Sequence, residues 1–159
     1  MQEIGLDVPP EMIVVGDHKM EGGMKALVQL TALANRPTAI LCSNDMTAVG
    51  VMREAYEYGL VIPRDMSLVG FDDIRLSQFT TPPLTTVQMS QTLLAEYAFR
   101  ALRSEVERTS TSSTVKEYEL PTNLILRGST ALAPSGVVAL NAPKMPMPTR
   151  IAGKSVKSG

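Results

Sequence analysis

Short apolar runs alternate with helical stripes along the first two thirds of this chain. Met12–Val15, Thr38–Cys42 and Ser67–Phe71 are nearly unbroken apolar segments of strand length, the pattern of strands in a helix-covered sheet. After the first run, Met20, Met24, Leu27, Val28 and Thr31 recur at helical spacing until Asn35-Arg36-Pro37 stops the helix. Gly22-Gly23 weakens its first turn, but lets the helix start approach a ligand or a neighbouring backbone. Because Thr38–Cys42 is apolar throughout, it predicts a strand covered on both faces. A second helix is expected from Met46 to Tyr58, with Gly59 as a left-handed C-terminal cap. Ala48, Val51, Met52 and Ala55 make one apolar face of it, and Met46, Val49 and Tyr56, beside Arg53, make another. A helix apolar on two sides either meets a second subunit or domain or is tightly buried within one. Val61–Asp65 then turns into the third run, and the alternation predicts an α/β fold, a parallel sheet with flanking helices and right-handed crossovers.

Farther on, Thr81-Pro82-Pro83 breaks local structure before an extended Leu84–Met89. Ser90 is placed to cap a helix carrying Leu94, Tyr97, Ala98, Ala101 and Leu102, with Arg100, Arg103 and Arg108 toward its negative end. Thr109–Thr114 reads as a flexible connector, and Val115–Leu120 and Asn123–Arg127 as short strands. Residues 133–159 lack either period, and no acid follows Glu119 while Lys144, Arg150, Lys154 and Lys157 do. A disordered basic tail is expected there, with nucleic-acid contact as the alternative.

Each of the three apolar runs ends in polar residues: Gly16-Asp17-His18, Asn44-Asp45 and Asp72-Asp73. Asp17 to Asn44 is 27 residues and Asn44 to Asp72 is 28, counted along the chain, about one βα unit. Ligands of open parallel sheets bind beyond the carboxyl ends of the strands, so residues repeated at that phase line one rim. Carboxylates accept from adjacent hydroxyls, an amide donates and accepts, and an imidazole stacks or hydrogen-bonds. His18, Asn44, Asp45, Asp72 and Asp73 therefore suit a polyhydroxylated ligand, a sugar or a nucleoside. No Gly-rich loop or rim lysine points to phosphate. Helix capping competes with binding at these positions, most strongly at Asp45.

Composition narrows the classes. Hydrophobic residues make up 44% of 159, enough for one buried core, yet aromatics are only 4%, so aliphatic side chains and ten Met must pack it. With 15 basic and 16 acidic residues, net −1, nothing draws the chain to nucleic acid or an anionic membrane. Cys42 is the only cysteine, which excludes an intrachain disulfide and a cysteine metal cluster, and it reads as a small buried hydrophobe. No metal or cofactor is expected. The N-terminus has no basic region leading into an apolar stretch and no run is long enough to span a membrane, so a cytoplasmic protein is expected. Paired acids at a strand end could also serve Mg²⁺ or phosphoryl chemistry. With a sole histidine and no lysine or hydroxyl partner at a matching strand end, an enzyme is not expected.

The run RPTAILCSNDMTAVGVMREAYEYGLVIPRDMSLVGFDD and the PPLTTV segment resemble the lac-repressor/galactose-repressor family of bacterial transcription regulators. The earlier VVGDHKMEGG and the later ELPTNLILRGST keep the family order, so the likeness spans about residues 5–132. It implies the C-terminal part of a two-lobed effector sensor of periplasmic-binding-protein type. Residues 1–83 would be most of the second lobe, 84–120 a crossover with a first-lobe helix, and 121–132 the return. It places Asn44 and Asp72 where the family binds effector hydroxyls or ring heteroatoms, and His18 where many members stack an aromatic. Asp17 would brace its loop, and Asp73 is a weaker candidate than Asp72. Met46, Val49, Arg53, Tyr56 and Leu76 would fall at a homodimer interface. The implied function is effector sensing and dimerisation that control operator binding by a headpiece outside these residues, with a transport sugar-binding protein as the alternative. Without the first lobe's sheet, Leu94, Tyr97 and Leu102 would stand in water, forfeiting on the order of 5 kcal/mol. A poorly stable or self-associating chain is then expected.

Overall fold

The computed structural model describes residues 8–107 and 117–133. The elements are α1 (Met20–Thr31), β1 (Ala39–Leu41), α2 (Asp45–Glu57), β2 (Ser67–Phe71), β3 (Thr85–Met89), α3 (Gln91–Val106) and β4 (Thr122–Ile125), with 3₁₀ turns at Pro10–Met12 and Arg75–Gln78. They form a mixed α/β fold with one four-stranded sheet in the order β1-β2-β3-β4. The first three strands run parallel, in registers that set Ala39 beside Ser67 and Val69 beside Thr85. β4 returns antiparallel on β3, with Thr86 beside Ile125. Since β1, β2 and β3 point the same way, their carboxyl ends share one rim.

The core lies between the sheet and the α1–α2 pair. Leu27 and Leu30 from α1, Ala48, Val51 and Ala55 from α2, Ile40, Leu68 and Leu84 from the sheet side, and Ile62 and Met66 from the connection make one cluster. Glycine decides how closely the helices approach. A Cβ on Gly23 would lie 2.1 Å from the Thr47 carbonyl oxygen, and one on Gly50 would lie 2.0 Å from the Met20 carbonyl oxygen. The glycine-softened helix start thus admits the neighbouring helix's backbone. At the other end of α2, Gly59 takes φ +68 and donates to the Tyr56 carbonyl, while Leu60 donates to the Ala55 carbonyl. This is the paired closure of a Schellman cap, as the position of Gly59 leads one to expect.

Three expectations are corrected. Met12–Val15 is not a strand: Pro9 and Pro10 lead into a tight turn, and the following residues join no ladder. Val14 leans on the core while Val15 is 95% exposed. An apolar run becomes a strand only beside a partner, and none pairs with it among the described residues. Thr38–Cys42 is covered on one side only: β1 is the sheet's edge, Ile40 points inward and Leu41 is 67% exposed. The part of the expected Val115–Leu120 strand that is described, residues 117–120, is irregular. Pro121, which has no N–H for a ladder, follows it directly. Residues 115–116, the Thr109–Thr114 connector and the expected tail beyond Ala133 lie outside the described residues.

Ser90 caps α3 as expected, its Oγ accepting from the Leu93 amide at 3.2 Å. No residue of α3 is buried. Leu94 and Leu102 are exposed, whereas Tyr97 is partly covered by Tyr118, with ring centroids 5.4 Å apart. No described helix is long and apolar enough to cross a membrane.

Candidate ligand-binding site

The end of β1 and the loop before α1 meet through Asn44. Its backbone is extended, and its Oδ1 accepts from the Thr47 amide at 2.8 Å, so Asn44 rather than Asp45 is the N-cap of α2. The same amide's Nδ2 donates to the His18 carbonyl at 3.0 Å. One lone pair and one N–H of the group stay unused by these bonds. His18 holds φ +59, and its Nδ1 lies 3.1 Å from Ser43 Oγ. Asp17 accepts from the Lys19 amide at 3.0 Å, bracing this loop, and lies where a Cβ on Gly22 would reach its Oδ1 at 2.0 Å.

Asp72 and Asp73 follow β2 with φ of +108 and +52. With His18 they are the non-glycine residues in the left-handed region among those described, and all three stand on one rim. Such backbone costs on the order of 1–3 kcal/mol per residue and persists where the surroundings impose it. The two carboxylates are used differently. Asp72 donates its amide to the Val87 carbonyl at 2.9 Å, while no described residue donates to its side chain. Burial, then the negative charge of Asp45, pushes Asp72 above the usual carboxylate range, and His18 partly offsets this. Asp73 accepts from Arg127 Nη2 at 2.6 Å, Ser77 Oγ at 3.2 Å and Gln88 Nε2 at 2.8 Å. Burial alone would raise Asp73, but Arg127, with Gln88 and Ser77, outweighs it and holds the group below its ordinary value.

Asp45 is 0% exposed, accepting from Thr86 Oγ1 at 2.6 Å and from the Ile74 amide at 2.8 Å. Gly70 makes room for it, since a Cβ there would sit 2.1 Å from Asp45 Oδ1. The five predicted residues therefore divide. His18, Asn44 and Asp72 keep accessible polar atoms on the rim, whereas Asp45 and Asp73 spend their carboxylates inside the fold.

Beside Asp72 opens a cleft of about 450 Å³ lined by Asp72, Asp73, Ile74, Arg75, Gln88, Met89, Ser90 and Gln91, within the size range of small-molecule sites. Gln88, Gln91, Arg75 and Arg127 were not singled out from the sequence. The end-of-strand rule, carried on to the run Leu84–Met89, points to Gln88 and its neighbours. Arg127 had no local signal, because its partner stands 54 positions away. No group of three His, Cys, Asp or Glu that could hold a metal occurs among the described residues. Burial and the Asp45 charge push the Cys42 thiol up to about 12, so it is an inert packing group at neutral pH.

The periplasmic binding protein-like domain model matches residues 1–130. This chain belongs to that family. It is 36% identical over 134 residues to the HTH-type transcriptional repressor CytR of Escherichia coli K12, covering 84% of this chain and 39% of the relative. To the HTH-type transcriptional repressor PurR of Serratia proteamaculans it is 37% identical, with the same coverage. Among solved structures, it is similar to a LacI-type transcription regulator from Bifidobacterium animalis (TM-score 0.71, 27% identity, 82% of this chain and 46% of that one). It is also similar to a LacI family transcriptional regulator from Enterococcus faecium with bound ribose (TM-score 0.63, 27% identity, 74% and 42%). The chain spans about two fifths of the length of the curated relatives it matches. Those relatives are repressors rather than enzymes.

The stripe assigned to dimerisation is laid bare on the same domain. Met46, Leu76 and Tyr56 are exposed, Tyr56 at 78%, Val49 is half-buried, and Arg53 pairs with Glu57 one turn on.

Proposed function

We propose that this chain is the effector-sensing and dimerising part of a LacI/GalR-type transcription regulator. In this reading it binds a small sugar-like or nucleoside-like ligand in the cytoplasm and governs operator binding by a helix-turn-helix headpiece of the longer regulator. The carrying observation is the free carboxylate of Asp72, held in a left-handed backbone beside a polar cleft while its neighbours Asp45 and Asp73 are tied down. A fixed carboxyl acceptor with no donor among the described residues is suited to paired ligand hydroxyls, while Asn44 and His18 supply a donor–acceptor amide and a small flat ring. The similar proteins, two repressors and a regulator solved with bound ribose, support the same class. Homodimerisation through Met46, Val49, Arg53, Tyr56 and Leu76 fits their exposure. Ligand can bias the regulator only through its difference in affinity for the two states of the sensor.

Calorimetry of the chain with D-ribose and with adenosine tests the ligand class, and binding of at least one is expected. Asp72→Ala should weaken that binding at least about tenfold, since a hydrogen bond to a charged group is worth about 1.5–3 kcal/mol. In the complete regulator the same change should abolish the effector response and leave operator binding intact. Unaltered affinity in the variant would remove Asp72 from the site.

A further inference from the structure

We propose that the Asp73–Arg127 ion pair is the positioning latch of this site: its charged groups are spent on each other and on the protein, and it holds Asp72 in the conformation that presents its free carboxylate. The inference rests on the reading of Asp72 as the ligand's acceptor, and assigns to Asp73 a role other than ligand contact. Both Asp73 oxygens are already engaged, Oδ1 by Arg127 and Ser77 and Oδ2 by Gln88. Arg127 is equally committed. Its Nη1 donates to Ser77 Oγ and to the Leu84 carbonyl, both at 2.9 Å, and its backbone N–H donates to Thr85 Oγ1 at 2.9 Å. The side chains are 15% and 9% exposed, so the pair is little screened.

Connectivity gives the pair its consequence. Asp73 follows Asp72 in the chain, both in left-handed backbone that only its surroundings can sustain. Several ties hold this loop. The Asp72 amide to Val87 O, the Asp73 amide to Thr86 Oγ1 and Gln88 to Asp73 Oδ2 bind it to β3, and Asp45 to the Ile74 amide binds it to the start of α2. Asp73 to Arg127 alone joins it to the segment just past β4. β3 runs into α3, and β4 brings the chain back to the sheet. A displacement of β4 relative to β2 is therefore passed through Arg127 to the residue beside Asp72. Arg127 thus determines the affinity of a site it does not line.

Arg127→Gln, Arg127→Lys and Asp73→Asn in the 159-residue chain test the latch. Two readouts need no ligand: the carbon-detected NMR titration of the Asp72 carboxyl, and amide exchange at Asp72 and Ile74. In Arg127→Gln, exchange at both amides should quicken at least about tenfold, while the Leu68 amide, bonded to Ser129 O, keeps its protection. The Asp72 titration should move down toward the ordinary carboxylate value as the loop becomes solvated. Loss of a nearby cation without release of the loop would move it up instead. Arg127→Lys should lie between wild type and Gln. If Arg127→Gln does not fold, exchange in Arg127→Lys and Asp73→Asn decides by the same criterion. A lowered melting temperature with unaltered exchange and an unmoved or raised Asp72 titration would overturn the latch, leaving a plain staple. With D-ribose or adenosine as probe, at least tenfold weaker binding by Arg127→Gln supports it and equal binding overturns it. Should wild type bind neither probe, the ligand class falls, and the Asp72 titration and exchange still decide the latch.

Discussion

Asp72 and Asp73 are adjacent acids of the same type, and their surroundings drive them in opposite directions. Asp73 sits below its ordinary value, so its pair with Arg127 adds stability that is fully present above the unfolded carboxylate pKa of about 3.9. That contribution is lost as pH falls through the lowered folded value. Asp72 is raised, by burial first and by Asp45 second, so the native state binds its proton more tightly than the unfolded chain does. Between the unfolded value and the raised folded one, stability therefore falls as pH rises. Asp72→Asn should then be more stable than wild type at neutral pH, and the gap should close on acidification toward about pH 4. Urea midpoints measured across that range check this, and a gap independent of pH would show that Asp72 pays no such penalty. A carboxylate whose charged form is disfavoured by its surroundings, with no donor among the described residues, is what a ligand's hydroxyls would relieve.

At the scale of elements, the α1–α2 contact depends on two hydrogen atoms. Gly23→Ala and Gly50→Ala would each drive a methyl group into a carbonyl at about 2 Å, and backbone cannot yield as a side-chain tip would. Each should destabilise the fold by about 1–3 kcal/mol, the usual cost of overpacking, despite alanine's better helix propensity. Chemical denaturation reads the outcome directly, and a stabilised alanine variant would refute the close approach. Much of this layer was legible beforehand. α1, α2, the strand Ser67–Phe71 and the caps at Ser90 and Gly59 follow from periodicity and local chemistry, which are short-range signals. Met12–Val15 misled because strand formation is settled by a neighbour, and the run itself does not encode one. Asn44 and Asp45 exchanged roles because a single residue of offset decides which of two adjacent polar side chains caps a helix and which enters it. Asp72 was legible from its phase along the chain, whereas Arg127 became visible only when β4, antiparallel on β3, set it beside Thr85 and within reach of Asp73.

For the whole molecule, the deciding contrast is between a core on one side of the chain and an uncovered apolar surface on the other. α1 and α2 bury their stripes against the sheet, while α3 buries no residue and leaves Leu94, Phe99, Leu102 and Val106 in water, with Leu124 and Leu126 exposed on and just past β4. Apolar surface of that extent, continuous along one helix, drives association when nothing else covers it. In sedimentation velocity the 159-residue chain should therefore self-associate with rising concentration. Replacing Leu94, Phe99 and Leu102 together by Gln should reduce that association. The same replacement should leave the main unfolding transition nearly in place, since none of the three contributes to the core cluster and α3 buries no residue. Loss of the transition along with the association would mean that α3 belongs to the cooperative unit, and its exposed face would then need another explanation than an uncovered contact surface.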